Sequence, residues 1–187
     1  TTAYTGQTSG NIATRYVAVH SNGKIYGSTD GENWTPYTSI MDGIDRVAVG
    51  PTNIVYNADR AVGDGESLWY ATAYDATPVE VAPAEGVEEN YNEVKYFSSI
   101  GKYIAVGHVS GGEGSDDVPL LLHSSDGVTW TRSYVDQGLL SESDPGDTEF
   151  VDIAENALGF FIVSDENQLG SFFLENITDA LDATTLV

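Results

Sequence analysis

The stretch "LLLHSSDGVTWTRS", residues 120–133, has a near twin in "KIYGSTDGENWTPY", residues 24–37. Both contain the pattern Ser-x-Asp-Gly-x-x-Trp-Thr. The copies are two repeat lengths of about 48 residues apart, and such a period is typical of a chain built from repeated structural units. The twin stretches therefore predict a repeat architecture.

The segments around the twins predict strands throughout the chain. Apolar and polar residues mostly alternate, and Val, Ile, Tyr, Phe and Thr are plentiful, a pattern that favours β-structure. Four segments share one order of strands and turns, which predicts one all-β domain: a small β-propeller-like domain of four four-stranded units. The predicted units are residues 1–40, 41–84, 90–136 and 147–187. A β-sandwich and an open β-solenoid are the alternative architectures.

The repeated motif predicts a stapled turn between the third and fourth strands of a unit. An aspartate at this place can accept hydrogen bonds from the N–H groups of its own turn, and a glycine can adopt positive φ. We expect the tryptophan ring to be buried beneath the hairpin in both copies. The motif residues are Ser28, Asp30, Gly31 and Trp34, and Ser124, Asp126, Gly127 and Trp130.

These residues resemble the Asp-box, or bacterial neuraminidase, repeat of β-propellers, usually Ser-x-Asp-x-Gly-x-x-Trp. The form here is one residue shorter, and the second and fourth units keep only an acidic turn. The shorter form is similar to repeats found in many bacteriophage virion and tail-associated proteins and in bacterial surface proteins. The resemblance implies a propeller fold and says less about biological role.

The charge of the chain excludes some classes of partner. Its 187 residues include 29 acidic and 7 basic side chains, for a formal net charge of -22. Nucleic acid and anionic membrane surfaces should repel such a protein, so we expect it to bind neither. The chain has no cysteine, which leaves neither a disulfide framework nor a zinc–thiolate site.

Catalytic residues are not evident in the sequence. The Asp-box resemblance also includes sialidases, which would need three clustered arginines and a tyrosine nucleophile. The four arginines of this chain are instead dispersed over different units. His20, His108 and His123 are too few and too poorly spaced to predict a metal triad. We therefore expect no enzymatic activity and no cofactor, with a glycoside hydrolase fragment as the third-ranked alternative.

Long acidic loops suggest two further kinds of site. Glu113, Asp116 and Asp117 are hard oxygen donors, so they form a candidate partner-binding or calcium-binding loop, although solvated acidic loops between strands are the favoured interpretation. Long loops on a rigid scaffold often bind partners. The long segments are residues 82–91, 107–119 and 137–148.

The leading functional interpretation is a non-catalytic structural or decoration protein of a virion, such as a phage capsid or tail assembly, or of an extracellular assembly. Its partners would be other proteins of that assembly, including further copies of itself. The alternative is a lectin-like, carbohydrate-binding propeller module. That function would use Trp69, Tyr74 and Tyr91 as a platform against sugar rings.

Overall fold

A computed structural model of the chain describes residues 3–5, 16–20, 24–36, 43–59, 65–73, 76–110, 117–134, 149–156, 159–164 and 172–174. The described residues contain β-strands and no helix, which confirms the all-β prediction. The strands are β1 (Ala3–Thr5), β2 (Tyr16–Val19), β3 (Ile25–Ser28), β4 (Thr35–Pro36), β5 (Arg46–Val49), β6 (Ile54–Asp59), β7 (Glu66–Ala71), β8 (Val79–Glu80), β9 (Glu89–Phe97), β10 (Lys102–Val109), β11 (Val118–Ser124), β12 (Thr131–Tyr134), β13 (Phe150–Asn156), β14 (Gly159–Ser164) and β15 (Phe172–Leu174).

The strands form four sheets, and each sheet is made of consecutive strands. Sheet 1 contains β1–β4, sheet 2 contains β5–β8, sheet 3 contains β9–β12 and sheet 4 contains β13–β15. Neighbouring strands in sheets 1, 2 and 4 pair antiparallel. The fourth strand predicted for the last unit falls in residues 175–187, outside the described residues.

The first strand of sheet 3 differs from its prediction. Residues 82–91 are predicted to be one long loop, but β9 begins at Glu89, within that segment. The pairing extends this far because the N–H of Ser110, just beyond β10, donates to the carbonyl of Glu88 at 2.9 Å. The segment that was expected to end a loop is therefore part of a sheet.

The chain divides into two compact units. The first contains residues Thr1–Ala82, Val94–Ile104 and His123–Trp130. The second contains residues Pro83–Glu93, Ala105–Leu122 and Thr131–Val187.

The first unit contains a hydrophobic core contributed by sheets 1 and 2. Strand β2 lies next to β5, and β6 is buried at every residue except Asp59. β-Branched and aromatic side chains fill the space between the two sheets, as the alternation of apolar residues predicts. The core consists of Val17 and Ile25 from sheet 1, with Ile44, Val47, Val49, Ile54, Tyr56, Ala58 and Ala71.

Sheet 2 is also covered on its other face, by part of sheet 3 within the same unit. The hydroxyl of Tyr103 on β10 donates a hydrogen bond to the carbonyl of Asn53. The side-chain amide of Asn53 donates to the carbonyl of Asp126 at 2.7 Å. Gly127 lies so close to Val55 that a Cβ at this glycine would be 2.8 Å from the valine Cγ2. Strand β6 is thus enclosed between two layers.

The second unit contains sheet 4 together with parts of sheet 3. The side-chain amide of Asn92 on β9 donates to the carbonyl of Phe150 on β13 at 2.9 Å. Phe150 and Ile153 are buried on β13, and Phe160 and Ile162 are buried on β14. On β14 the buried residues Phe160 and Ile162 alternate with less buried residues, so the strand has one covered face.

Candidate functional site

The first copy of the motif forms a turn that is bonded to itself. The hydroxyl of Ser28 donates to Oδ1 of Asp30 at 2.9 Å and accepts from the N–H of Gly31 at 2.8 Å. The same Oδ1 accepts the N–H groups of Glu32 and Asn33, each at 2.8 Å. The N–H and side-chain amide of Asn33 and the N–H of Glu32 favour the charged carboxylate, so the pKa of Asp30 lies well below its usual range.

The second copy repeats this set of bonds. The hydroxyl of Ser124 donates to Oδ1 of Asp126 at 2.9 Å and accepts from the N–H of Gly127 at 2.8 Å. The N–H groups of Val128 and Thr129 donate to the same Oδ1, each at 2.8 Å. The pKa of Asp126 is lowered, first by the N–H of Thr129 and then by that of Val128.

The glycines and tryptophans complete both turns. Gly31 and Gly127 have φ of 81° and 76°, a region that favours glycine. The indole N–H of Trp34 donates to the carbonyl of Gly31 at 3.1 Å, and that of Trp130 donates to the carbonyl of Gly127 at 3.2 Å. The motif aspartates and indoles therefore bond to the backbone of their own turns.

The two tryptophan rings differ in burial. Trp130 is 8% exposed and packs against Tyr103, with ring centroids 6.4 Å apart. Trp34 is 37% exposed, so the prediction that both rings are buried is wrong for this residue. The physical reason is the environment of each turn: Gly127 packs against Val55 of sheet 2, whereas the atoms nearest to a Cβ on Gly31 belong to Tyr16 of its own sheet.

A buried ion pair connects the two edge strands of sheet 3 in the second unit. Glu89, on β9, is fully buried. Arg132, on β12, donates from Nε to Oε1 of Glu89 at 2.7 Å and from Nη2 to Oε2 at 3.1 Å. The hydroxyl of Tyr91 donates to Oε2 at 2.7 Å, which adds a third bond to the carboxylate. A charge at this depth needs such partners, because desolvation of an unpaired carboxylate is costly.

The proposed sugar platform is not assembled by the described residues. Tyr91 lies on β9, is only 2% exposed and bonds through its hydroxyl to a buried carboxylate, so the prediction of an accessible loop aromatic is wrong for this residue. Burial, followed by the charge of Glu89, raises the pKa of its phenol. Trp69 is half-buried against the core of the first unit, and its indole N–H donates to the carbonyl of Asp59 at 3.2 Å. Tyr74 lies outside the described residues.

A second polar cluster in the second unit surrounds His108. Its Nδ1 lies 2.7 Å from Oε2 of Glu149, and its Nε2 lies 3.5 Å from Oδ2 of Asp117. The amide of Asn92 also donates to Oε2 of Glu149, at 2.9 Å. These contacts connect β10 and β9 to the residue that precedes β13. The cluster therefore ties strands of two sheets together.

The structure describes the remaining histidines and one of the three candidate calcium residues. His123 lies 3.3 Å from Nζ of Lys102, and burial followed by that ammonium lowers its pKa. His20 is exposed. Asp117 faces His108, while Glu113 and Asp116 lie outside the described residues. Among the described residues, no group of three or more histidines and carboxylates is placed to hold a metal ion.

Comparisons with protein-family models and with curated proteins find no match for this sequence. In the part of the chain that the structure describes, no helix is long and apolar enough to cross a membrane.

Alanine at the two motif glycines should separate turn strain from packing. Both Gly31→Ala and Gly127→Ala force a side chain into positive φ, at a cost of about 1–2 kcal/mol. Gly127→Ala also places its methyl against Val55, and such overpacking costs a further 1–3 kcal/mol, approximately. Urea denaturation should show the larger loss for Gly127→Ala. Equal losses would contradict the docking of this turn on sheet 2.

Removal of the partly buried cation Arg132 should strongly destabilise the fold. Arg132→Met keeps most of the side-chain volume but leaves Glu89 buried without its counter-charge, and we expect a loss of about 3–5 kcal/mol at pH 7. The double variant Arg132→Met/Glu89→Gln should recover part of this loss, because no buried charge remains. Arg46→Met is the control for loss of a cation elsewhere. A loss below about 1 kcal/mol for Arg132→Met would show that the ion pair is not formed as described.

The turn aspartates should contribute a specific pH dependence. The folded-state pKa values of Asp30 and Asp126 lie below the ordinary value of 3.8. The stability that these carboxylates add to the fold is therefore complete above that pH and is lost as the pH falls below it. The variant Asp30→Asn/Asp126→Asn should therefore differ most from wild type near neutrality and progressively less in acid. Denaturation midpoints across this range measure the difference, with exposed Glu155→Gln as the control. A difference that grows in acid would reverse the assigned sign.

Proposed function

We propose that this chain is a non-catalytic structural or decoration protein of a virion, such as a phage capsid or tail assembly, or of an extracellular assembly, and that it acts through contacts with other proteins. The observation that carries the proposal is that ionisable groups of the motif turns and of sheet 3 form bonds within the fold. The motif aspartates bond to their own turns, and Glu89 and Arg132 neutralise one another inside a sheet. These groups hold strands and turns together, which is the requirement of a scaffold.

The proposed architecture is a small propeller-like arrangement of four four-stranded units. The order of the sheets along the chain supports it, since each sheet is a run of consecutive strands. The enclosure of β6 between sheet 1 and the turn of sheet 3 also supports it, because blades of a propeller cover the faces of their neighbours. A β-sandwich would not require a turn of the same construction in two units.

The structure lends less support to the carbohydrate-binding alternative than the sequence did. A sugar platform needs an aromatic face in solvent, as in other recognition by aromatic side chains. Tyr91 is buried and Trp69 is half-buried with its indole N–H already bonded. A glycan array remains the direct comparison, and we expect no binding above the background of a denatured sample.

Quantitative mass spectrometry of gradient-purified particles tests the proposed function. In the organism that carries the gene, the ratio of this chain to the major particle protein should be constant across the particle peak. Particles that lack the protein should take up the recombinant chain until the same ratio is reached. A ratio that varies across the peak, or specific glycan binding in its place, would contradict the proposal.

A further inference from the structure

Each copy of the motif contains an Asp–Gly bond, a sequence at which the protein backbone rearranges readily. Glycine has no side chain to shield its nitrogen, so this nitrogen can attack the carboxyl carbon of the preceding aspartate. A Cγ–N bond forms, the Cγ–O bond breaks and one water leaves, which gives a five-membered succinimide ring. Water then opens the ring, and opening beside Cα produces isoaspartate, in which the main chain passes through Cβ and Cγ. The two bonds are Asp30–Gly31 and Asp126–Gly127.

Hydrogen bonds hold both reacting groups of the Asp30–Gly31 bond in the turn of sheet 1. The nucleophile, the nitrogen of Gly31, donates its N–H to Oγ of Ser28 at 2.8 Å. The Asp30 carboxylate accepts the N–H groups of Glu32 and Asn33 at Oδ1 and the side-chain amide of Asn33 at Oδ2, each at 2.8 Å. Closure of the ring needs the carboxyl carbon to turn toward the Gly31 nitrogen, and this movement would break these bonds.

The hydroxyl of Ser28 acts on both reacting groups at once. It accepts the N–H groups of Gly31 and Asp30, at 2.8 and 3.2 Å, and donates to Oδ1 of Asp30 at 2.9 Å. The bond to the glycine N–H must break before that nitrogen can attack. The bonds to the carboxylate, that from the N–H of Asn33 first, also lower the pKa of Asp30. A carboxylate reacts less readily than the acid, because the acid can release water.

The second copy of the motif has the same internal bonds and a further restraint. Ser124 donates to Asp126 and accepts from Gly127, as its counterpart does in the first copy. In addition, the carbonyl of Asp126 accepts the side-chain amide of Asn53 at 2.7 Å, and a Cβ on Gly127 would lie 2.8 Å from Cγ2 of Val55. Isoaspartate lengthens the backbone by one atom, so a turn packed in this way resists the change more strongly.

We propose that Asp30–Gly31 is a latent site of isoaspartate formation and that the hydroxyl of Ser28 keeps this bond unmodified. The reaction needs no partner except water, and the proposal does not depend on the proposed function. A serine that only shaped the turn would affect stability, whereas a protecting serine also sets the rate of isomerisation at one bond. In the second copy, where Asn53 and Val55 add restraint, loss of the serine hydroxyl should have the smaller effect.

Incubation of the folded full chain at physiological temperature and neutral pH tests the proposal. Electron-transfer fragmentation of tryptic peptides distinguishes isoaspartate from aspartate and gives the rate at each bond. Ser28→Ala should raise the rate at Asp30 by about tenfold, the factor expected from loss of the hydrogen bonds of one hydroxyl. Ser124→Ala should raise the rate at Asp126 by less. Thr29→Ala is the matched control, because it shortens an exposed residue of the same turn and should change the rate at Asp30 by less than about twofold.

Two readouts separate local protection from unfolding. In Ser28→Ala the rate at Asp126 should equal that of wild type, because both bonds lie in the first compact unit and its unfolding would expose both. Wild type in guanidinium chloride gives the unprotected rate, which should exceed the folded rate at Asp30 by about tenfold or more. Equal rates at Asp30 in folded wild type and Ser28→Ala overturn the proposal. So does a folded rate equal to the denatured one, or a rise in Ser28→Ala that is matched at Asp126.

Discussion

Both motif turns depend on a carboxylate that accepts the N–H groups of its own turn, and one of these turns also joins two sheets. In each motif copy one oxygen of the aspartate holds two consecutive amides and the hydroxyl of the serine that ends the third strand. This fixes the path of the chain from the third strand to the fourth. The same turn can also pack against another sheet. In sheet 3 its glycine packs against sheet 2, and the carbonyl of its aspartate accepts the amide of Asn53.

Local chemistry of this kind can be predicted from sequence, since all partners lie within seven residues. Strand alternation is also local, and the all-β class that it predicts is confirmed. The burial of Trp34 could not be predicted in the same way, because it depends on a neighbouring surface and not on the motif. The pairing of Glu89 with Arg132 is not predictable for a related reason: the two residues lie on opposite edge strands of a sheet. The sequence does show an arginine two residues after a motif tryptophan.

The distribution of charge shows how a very acidic chain can fold. Of 36 charged side chains only 7 are basic, so most carboxylates must remain in water or bond to N–H groups. The turn aspartates bond to N–H groups and need no cation. Glu89 is fully buried, and Arg132 offsets the cost of its desolvation through a bidentate contact. Arg132, one of the 7 basic residues, therefore pairs with a fully buried carboxylate.

The twin turns also separate local from tertiary stabilisation within one molecule. Their internal hydrogen bonds are equivalent, and both aspartates have a lowered pKa for the same cause, the N–H groups that follow them. Only the turn of sheet 3 adds burial of its tryptophan and contact with a neighbouring sheet. Since the exposed turn of sheet 1 forms all of its internal bonds without that cover, burial of the tryptophan is not a condition for the turn.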